Sequence, residues 1–160
     1  MGVRSRAIMP PSAQMIIIEG YVEDICRIMG VPESIVKGVI WQESKYDIYS
    51  YRWNDDNPND RSFGLMHLTM PTANEIAGVQ LKQEDLYEPI FNIYLGTQYL
   101  LNLYQRYKDW SKAVAAYNAG SPRYTQAGMF INQSYVNIVF KAAQILKDSV
   151  INYAKLLVRR

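Results

Sequence analysis

Glu43 breaks the pattern around it. The apolar stripe Val36, Val39, Ile40 continues by three or four residues onto Glu43, so a carboxyl group stands where a helix would bury an apolar side chain. The position also lies at the C-terminal end of that helix, where the dipole is negative. Burial and the dipole both disfavour the charged form, and a carboxyl group kept protonated near neutral pH is what a general acid needs. Two other readings stay open at this point, a buried Glu paired with Lys or Arg and a helix-end Glu that leans into solvent. Two further clusters stand out by composition, Gly64-Leu65-Met66-His67 and Ala116-Tyr117-Asn118-Ala119-Gly120. His67 is the one histidine of the chain, which leaves no Ser-His-Asp set, and there is no Gly-rich phosphate loop and no zinc-type Cys/His cluster. The run Asp55-Asp56-Asn57-Pro58-Asn59-Asp60 starts like a calcium loop, but Asp60 and Met66 occupy the places of the required Gly and Glu. A solvated Asn/Asp turn is the expectation there, with no metal and no cofactor.

The elements that must position these residues read as helices. Pro10, Pro11 and Ser12 open a helix whose apolar positions Met15, Ile18, Val22, Ile25, Cys26 and Met29 recur at helical spacing until Gly30. Pro32, suited to a first helical position, starts the next helix, which carries Ile35, Val36, Val39, Ile40 and then Glu43. From Lys45 to Phe63 periodicity disappears, and the stretch reads as a long aromatic-rich loop with room for a short hairpin. Thr72 and Glu75 form a capping-box pattern for a short helix ending near Gly78. Helices are then expected over Glu88–Tyr107, over Trp110–Tyr117 closed by Asn118-Ala119-Gly120, and over Gln133–Leu157, with a loop over Ser121–Asn132.

At 160 residues and 49% hydrophobic, the chain predicts one domain over 1–160 with a loose leader over 1–11. A net charge of +2 argues against a dedicated nucleic-acid binder. Basic residues gather only near the end, as Lys141, Lys147, Lys155, Arg159 and Arg160, and read as a solvated helix face. The single cysteine, Cys26, cannot form an internal disulfide and reads as a core residue. No apolar run has the length of a membrane span, and Pro10, Pro11, Ser12 and Gln14 break any signal-peptide core, so no signal peptide is expected.

Taken in order, Glu43-Ser44, Gly64-Leu65-Met66, the Ala116–Gly120 run and Tyr135-Val136 resemble the lytic transglycosylases of glycoside hydrolase family 23, relatives of goose-type lysozymes. The Ala-Tyr-Asn-Ala-Gly run is the specific part, and the resemblance covers roughly Ile16 to Ala143. It implies an all-α, lysozyme-like fold of six or seven helices around a central helix ending at Glu43. It further implies that Glu43 is the catalytic acid and that Ser44 supports it or the substrate's acetamido group. Met66 and His67 would line the glycan cleft, Tyr117 and Asn118 would contact sugars, and Tyr135 would orient Glu43. The implied reaction cuts peptidoglycan between N-acetylmuramic acid and N-acetylglucosamine and closes a 1,6-anhydro ring, without metal or cofactor. The implied partner is the glycan strand, met by a monomer in the periplasm or cell envelope, with phage- or secretion-associated delivery as another route.

Two departures qualify the resemblance. His67 stands where the family usually has Gln, which would make a subsite pH-sensitive. The loop between Ser44 and Gly64 is longer than usual and carries Asp55, Asp56 and Asp60, one of which could hold a water and give a muramidase. A non-catalytic glycan-binding subunit of an envelope-spanning machine is the remaining alternative, against which the presence of Glu43 argues.

Overall fold

The computed structural model describes residues 12–158, with side chains through Asp148. The leader expected over 1–11, and the side chains of Lys155, Arg159 and Arg160, lie outside the described residues. Within them the architecture is all-α with one small sheet, as expected.

Helix α1 (Ala13–Met29) begins where Ser12 accepts a hydrogen bond from the Met15 amide and ends at left-handed Gly30. It buries Ile18, Val22, Ile25 and Cys26, four residues of the expected stripe. Helix α2 (Glu33–Ser44) comes next, with Pro32 as its N-cap rather than its first helical residue. α2 is the central element and is buried from Ile35 to Ile40. Lys37 lies inside that run because its ammonium pairs with Glu33 at 2.5 Å and with Glu19 of α1 at 3.6 Å. An unpaired charge at this depth would be costly.

The closest packing in the molecule that bears on the site is between α2 and α6 (Gln133–Val158). A Cβ built on Gly38 would run into the carbonyl of Val139, so the two backbones meet where a side chain is missing. At its other end α2 stops abruptly. Lys45 (φ 54°) and Tyr46 (φ 66°) are both left-handed, uncommon for residues with a side chain, and the Lys45 ammonium covers the Trp41 carbonyl at 2.7 Å. The chain therefore leaves the helix one residue after Glu43 and turns back over it.

Beyond this turn lies the expected hairpin, extended by a third strand. β1 (Tyr51–Arg52) pairs antiparallel with β2 (Ser62–Phe63), and β2 pairs with β3 (Leu68–Thr69), so Arg52, Ser62 and Thr69 lie side by side. A short 3-10 turn over Pro58–Asp60 closes the hairpin. Helix α3 (Met70–Ala77) starts earlier than its expected capping box, because Thr69 rather than Thr72 is the cap and Pro71 sits in the first turn. Its end at Gly78 is as expected. A 3-10 segment over Gln83–Tyr87 leads into α4 (Pro89–Tyr107), and Asp109 and Gly120 cap α5 (Trp110–Ala119).

The main core joins α1, α2, α4, α5 and α6, while Phe63, Leu68, Ala73, Leu86 and Leu95 form a second core beneath the sheet. Cys26 is a free, buried thiol in the first of these. Burial, with the nearby Glu33 carboxylate as a smaller cause, pushes that thiol up to about 12.

Candidate active site

A cavity of about 180 Å³ opens beside Glu43. The sheet supplies Arg52, Ser62 and Thr69 to its wall, the hairpin turn supplies Asp60, α4 supplies Tyr99, and α5 supplies Tyr117 and Asn118. The Glu43 side chain is 15% exposed, and each carboxyl oxygen has its own neighbour. The Tyr135 hydroxyl donates to Oε1 at 2.5 Å, and Nδ1 of His67 lies 3.4 Å from Oε2. Among the described residues Glu43 is thus neither paired with Lys or Arg nor leaning freely into solvent.

Burial and the Glu43 carboxylate both push the Tyr135 phenol well above its ordinary range. Tyr135 therefore stays protonated and remains a donor. Tyr117 is raised in the same direction by burial first and Glu43 second, and its hydroxyl donates to the Met66 carbonyl at 2.8 Å. The Tyr117 ring tilts against Tyr99 with centroids 5.1 Å apart.

The turn that presents His67 is fastened from two sides. Gly64 is left-handed (φ 78°), and the space of its missing Cβ is taken by the Leu86 carbonyl and the Asn92 amide. Asn92 is fully buried in α4 and satisfies three partners. Its Nδ2 donates to the carbonyls of Phe63 (3.0 Å) and Leu86 (2.8 Å), and its Oδ1 accepts from the Met66 amide at 2.8 Å. Tyr117 holds the Met66 carbonyl from the α5 side. His67 leaves this clamp in a left-handed conformation (φ 46°), with Nε2 2.7 Å from Ser50 Oγ.

The other expected site residues fall in different places. Ser44 is buried and donates its hydroxyl back to the Ile40 carbonyl at 3.1 Å, outside the cavity wall. The Met66 side chain is fully buried against Gly96 and does not line the cavity; its backbone does the positioning. Asn118 lies exposed on the rim and accepts from Asn132 Nδ2 at 2.9 Å. Asp60 sits in the expected Asn/Asp turn with its side chain half exposed, and there it also lines the cavity, bonded by Arg52 at 3.0 Å and by Asn54 Nδ2 at 3.1 Å. Asp55 faces Trp53 Nε1 (2.6 Å) and Arg61 (3.7 Å), so the acidic oxygens of this loop do not face a common centre.

Ser50, Ser62, Asn92 and Tyr99 were not legible as site residues. Asn92 carried the same signal as Glu43, a polar residue within an apolar helical run. Ser62 gave none. It is 2% exposed, lines the cavity, and its hydroxyl has no partner among the described residues.

The chain is 28% identical over 120 residues to the X polypeptide of Escherichia coli, covering 74% of this chain and 69% of that protein. Its fold is similar to the 70 kDa soluble lytic transglycosylase of Escherichia coli, with a TM-score of 0.55, 21% identity and 78% of this chain covered. It is likewise similar to an inactive mutant of the lytic transglycosylase Slt of Pseudomonas aeruginosa, with a TM-score of 0.57, 22% identity and 86% of this chain covered. The chain spans 18% and 24% of those two longer enzymes. These likenesses establish the lysozyme-like fold. The family model of the transglycosylase SLT domain matches residues 21–129, a stretch that holds Glu43, the clamped turn and the α5 motif, and the chain belongs to that family.

Proposed function

We propose that the chain is a peptidoglycan lytic transglycosylase in which Glu43 acts as acid and then as base. The observation that carries this reading is a partly buried carboxyl group with a permanent hydroxyl donor on one oxygen, set in a cavity beside sugar-sized aromatic and hydroxyl surfaces. Family membership supports the same reaction class. Glu43 gives its proton to the glycosidic oxygen between N-acetylmuramic acid and N-acetylglucosamine as the C1–O bond breaks. The muramyl acetamido group stabilises the sugar cation, so a second carboxylate is not required. The C6 hydroxyl then attacks C1 and returns its proton to Glu43, which closes the 1,6-anhydro ring. Tyr117 and Asn118 are assigned to sugar binding, and Ser44 and Met66 to the support of the helix end and of the turn.

The place of action is the envelope, where peptidoglycan lies. No helix among the described residues is long and apolar enough to cross a membrane. The proposed form is a monomer.

One observation favours a second reading. Asp60 is held in the same cavity as Glu43, where a fixed carboxylate could orient water and make the enzyme a muramidase. Mass spectrometry of digested peptidoglycan separates the two, because an anhydro-muramyl end and a reducing end differ by one water. Anhydro ends from wild type, and from Asp60→Asn, with no products from Glu43→Gln, are expected. Reducing ends that vanish in Asp60→Asn would establish the muramidase.

A further inference from the structure

Glu43 has a second neighbour that the proposed reaction does not use. His67 Nδ1 faces Glu43 Oε2 at 3.4 Å, opposite the side on which Tyr135 holds Oε1. The far ring nitrogen, Nε2, is 2.7 Å from Ser50 Oγ. The imidazole is therefore strung between a hydroxyl and the carboxyl group, and its backbone is left-handed at φ 46° to place it there. Unusual backbone at a side chain of this size gathers at functional sites. We propose that His67 is a positioning residue for Glu43 in its ionised state: once the acid has given up its proton, Ser50 braces Nε2 so that an Nδ1–H meets Glu43 Oε2, and the carboxylate is held at both oxygens for its return as base.

The rest of the cavity leaves His67 free for this task. Arg52 and Asp60 are paired with each other at 3.0 Å, and the hydroxyls of Tyr117 and Tyr135 are taken by the Met66 carbonyl and by Glu43. Among the described residues, Glu43 is the acidic group within ion-pair distance of the ring. A carboxylate beside Nδ1 favours the tautomer with the proton on Nδ1. Ser50 accommodates it, because a hydroxyl can donate to the Nε2 lone pair. The 3.4 Å separation is long for a hydrogen bond, as catalytic contacts often are before substrate closes the site. The proposal rests on Glu43 being the catalytic acid.

Kinetics on soluble uncrosslinked glycan strands and ¹⁵N NMR of the imidazole test it together. His67 is the one histidine of the chain, so its signals need no residue assignment, and their couplings to the ring carbon-bound protons tell Nδ1 from Nε2. Ser50→Ala is expected to lower kcat about three- to tenfold with KM unchanged, the range of one ordinary hydrogen bond. Ser50→Thr should restore it, and Ser50→Ala should add nothing in a His67→Gln background. At pH 8 the wild-type ring should carry its proton on Nδ1, and on Nε2 in Glu43→Ala. Loss appearing in KM, additive effects of the two substitutions, or an Nε2–H ring in wild type would overturn the positioning role. Should Glu43→Gln still lyse walls, the catalytic reading fails by itself, while the tautomer measurement still reports on the contact. Because Ser50→Ala leaves the left-handed residue untouched, it stays informative if His67→Gln folds poorly.

Discussion

Replacing Tyr135 by Phe removes one oxygen and almost nothing else. The ring is 8% exposed and packs in the main core, so Phe keeps its volume and contacts. What disappears is a 2.5 Å donor to Glu43 Oε1, in the short range of hydrogen bonds to a carboxylate. Bonds of that kind contribute about 1.5–3 kcal/mol. If Tyr135 orients the acid, that amount falls on the chemical step, and kcat should drop about 10- to 100-fold with KM little changed. The Glu43 side chain is 15% exposed, so water can reach the freed oxygen, and the cost in stability should stay near 1 kcal/mol, about 2–4 °C in Tm for a chain of this size. The assay is release of muropeptides from purified sacculi under saturating substrate, run beside thermal unfolding of the same preparation. A kcat within about twofold of wild type would refute the reasoning, and so would a loss fully accounted for by unfolded protein.

Three other parts of the molecule carry expected outcomes of their own. Gly38→Ala gains helix propensity but drives a methyl group onto the Val139 carbonyl, and a net loss of about 1–3 kcal/mol is expected by urea unfolding. EDTA should leave wall lysis unchanged, since the proposed steps use a carboxyl group and the substrate's acetamide; loss restored by calcium would bring the Asp55–Asp60 loop back into the mechanism. The raised Cys26 thiol contributes stability that is complete below its ordinary value of 9.0 and is lost as pH rises toward about 12. In Cys26→Ala the alkaline loss of stability should therefore begin nearer pH 10, the ordinary tyrosine value, where Tyr46, Tyr117 and Tyr135 begin to contribute. Unfolding curves that begin to fall at the same pH with and without the thiol would contradict this.

Helices were legible where caps and stripes agree. Ser12, the Ile18–Cys26 spacing and Gly30 delimit α1 to within a residue, and Glu43 was conspicuous because it broke such a stripe. The start of α3 is ambiguous in sequence because Thr69 and Thr72 are both plausible caps, and the position of Pro71 decides for Thr69. The sheet side of the site was hardly legible at all. Its strands are two residues long, too short for alternation to register, so nothing in sequence announces that Ser62 and Asp60 reach the cavity or that Ser50 reaches His67. Likewise Met66 belongs to a recognisable motif, yet its side chain fills the core, and it is its backbone that Asn92 and Tyr117 hold.

The bare contact at Gly38 has a consequence for anyone who would transplant this chemistry. Glu43 lies five residues beyond Gly38 on α2, about 7.5 Å along its axis, and Tyr135 lies four residues before Val139 on α6, about 6 Å along its own. The gap between acid and hydroxyl is therefore inherited from how closely two helices cross, in the way a hinge pin sets the gap between two blades. A graft that copies Glu43 and Tyr135 onto helices with an ordinary side chain at the crossing would open that gap, and both residues would be present without reaching each other. The smallest portable version of the pair has three members, and the third is a glycine that touches no substrate.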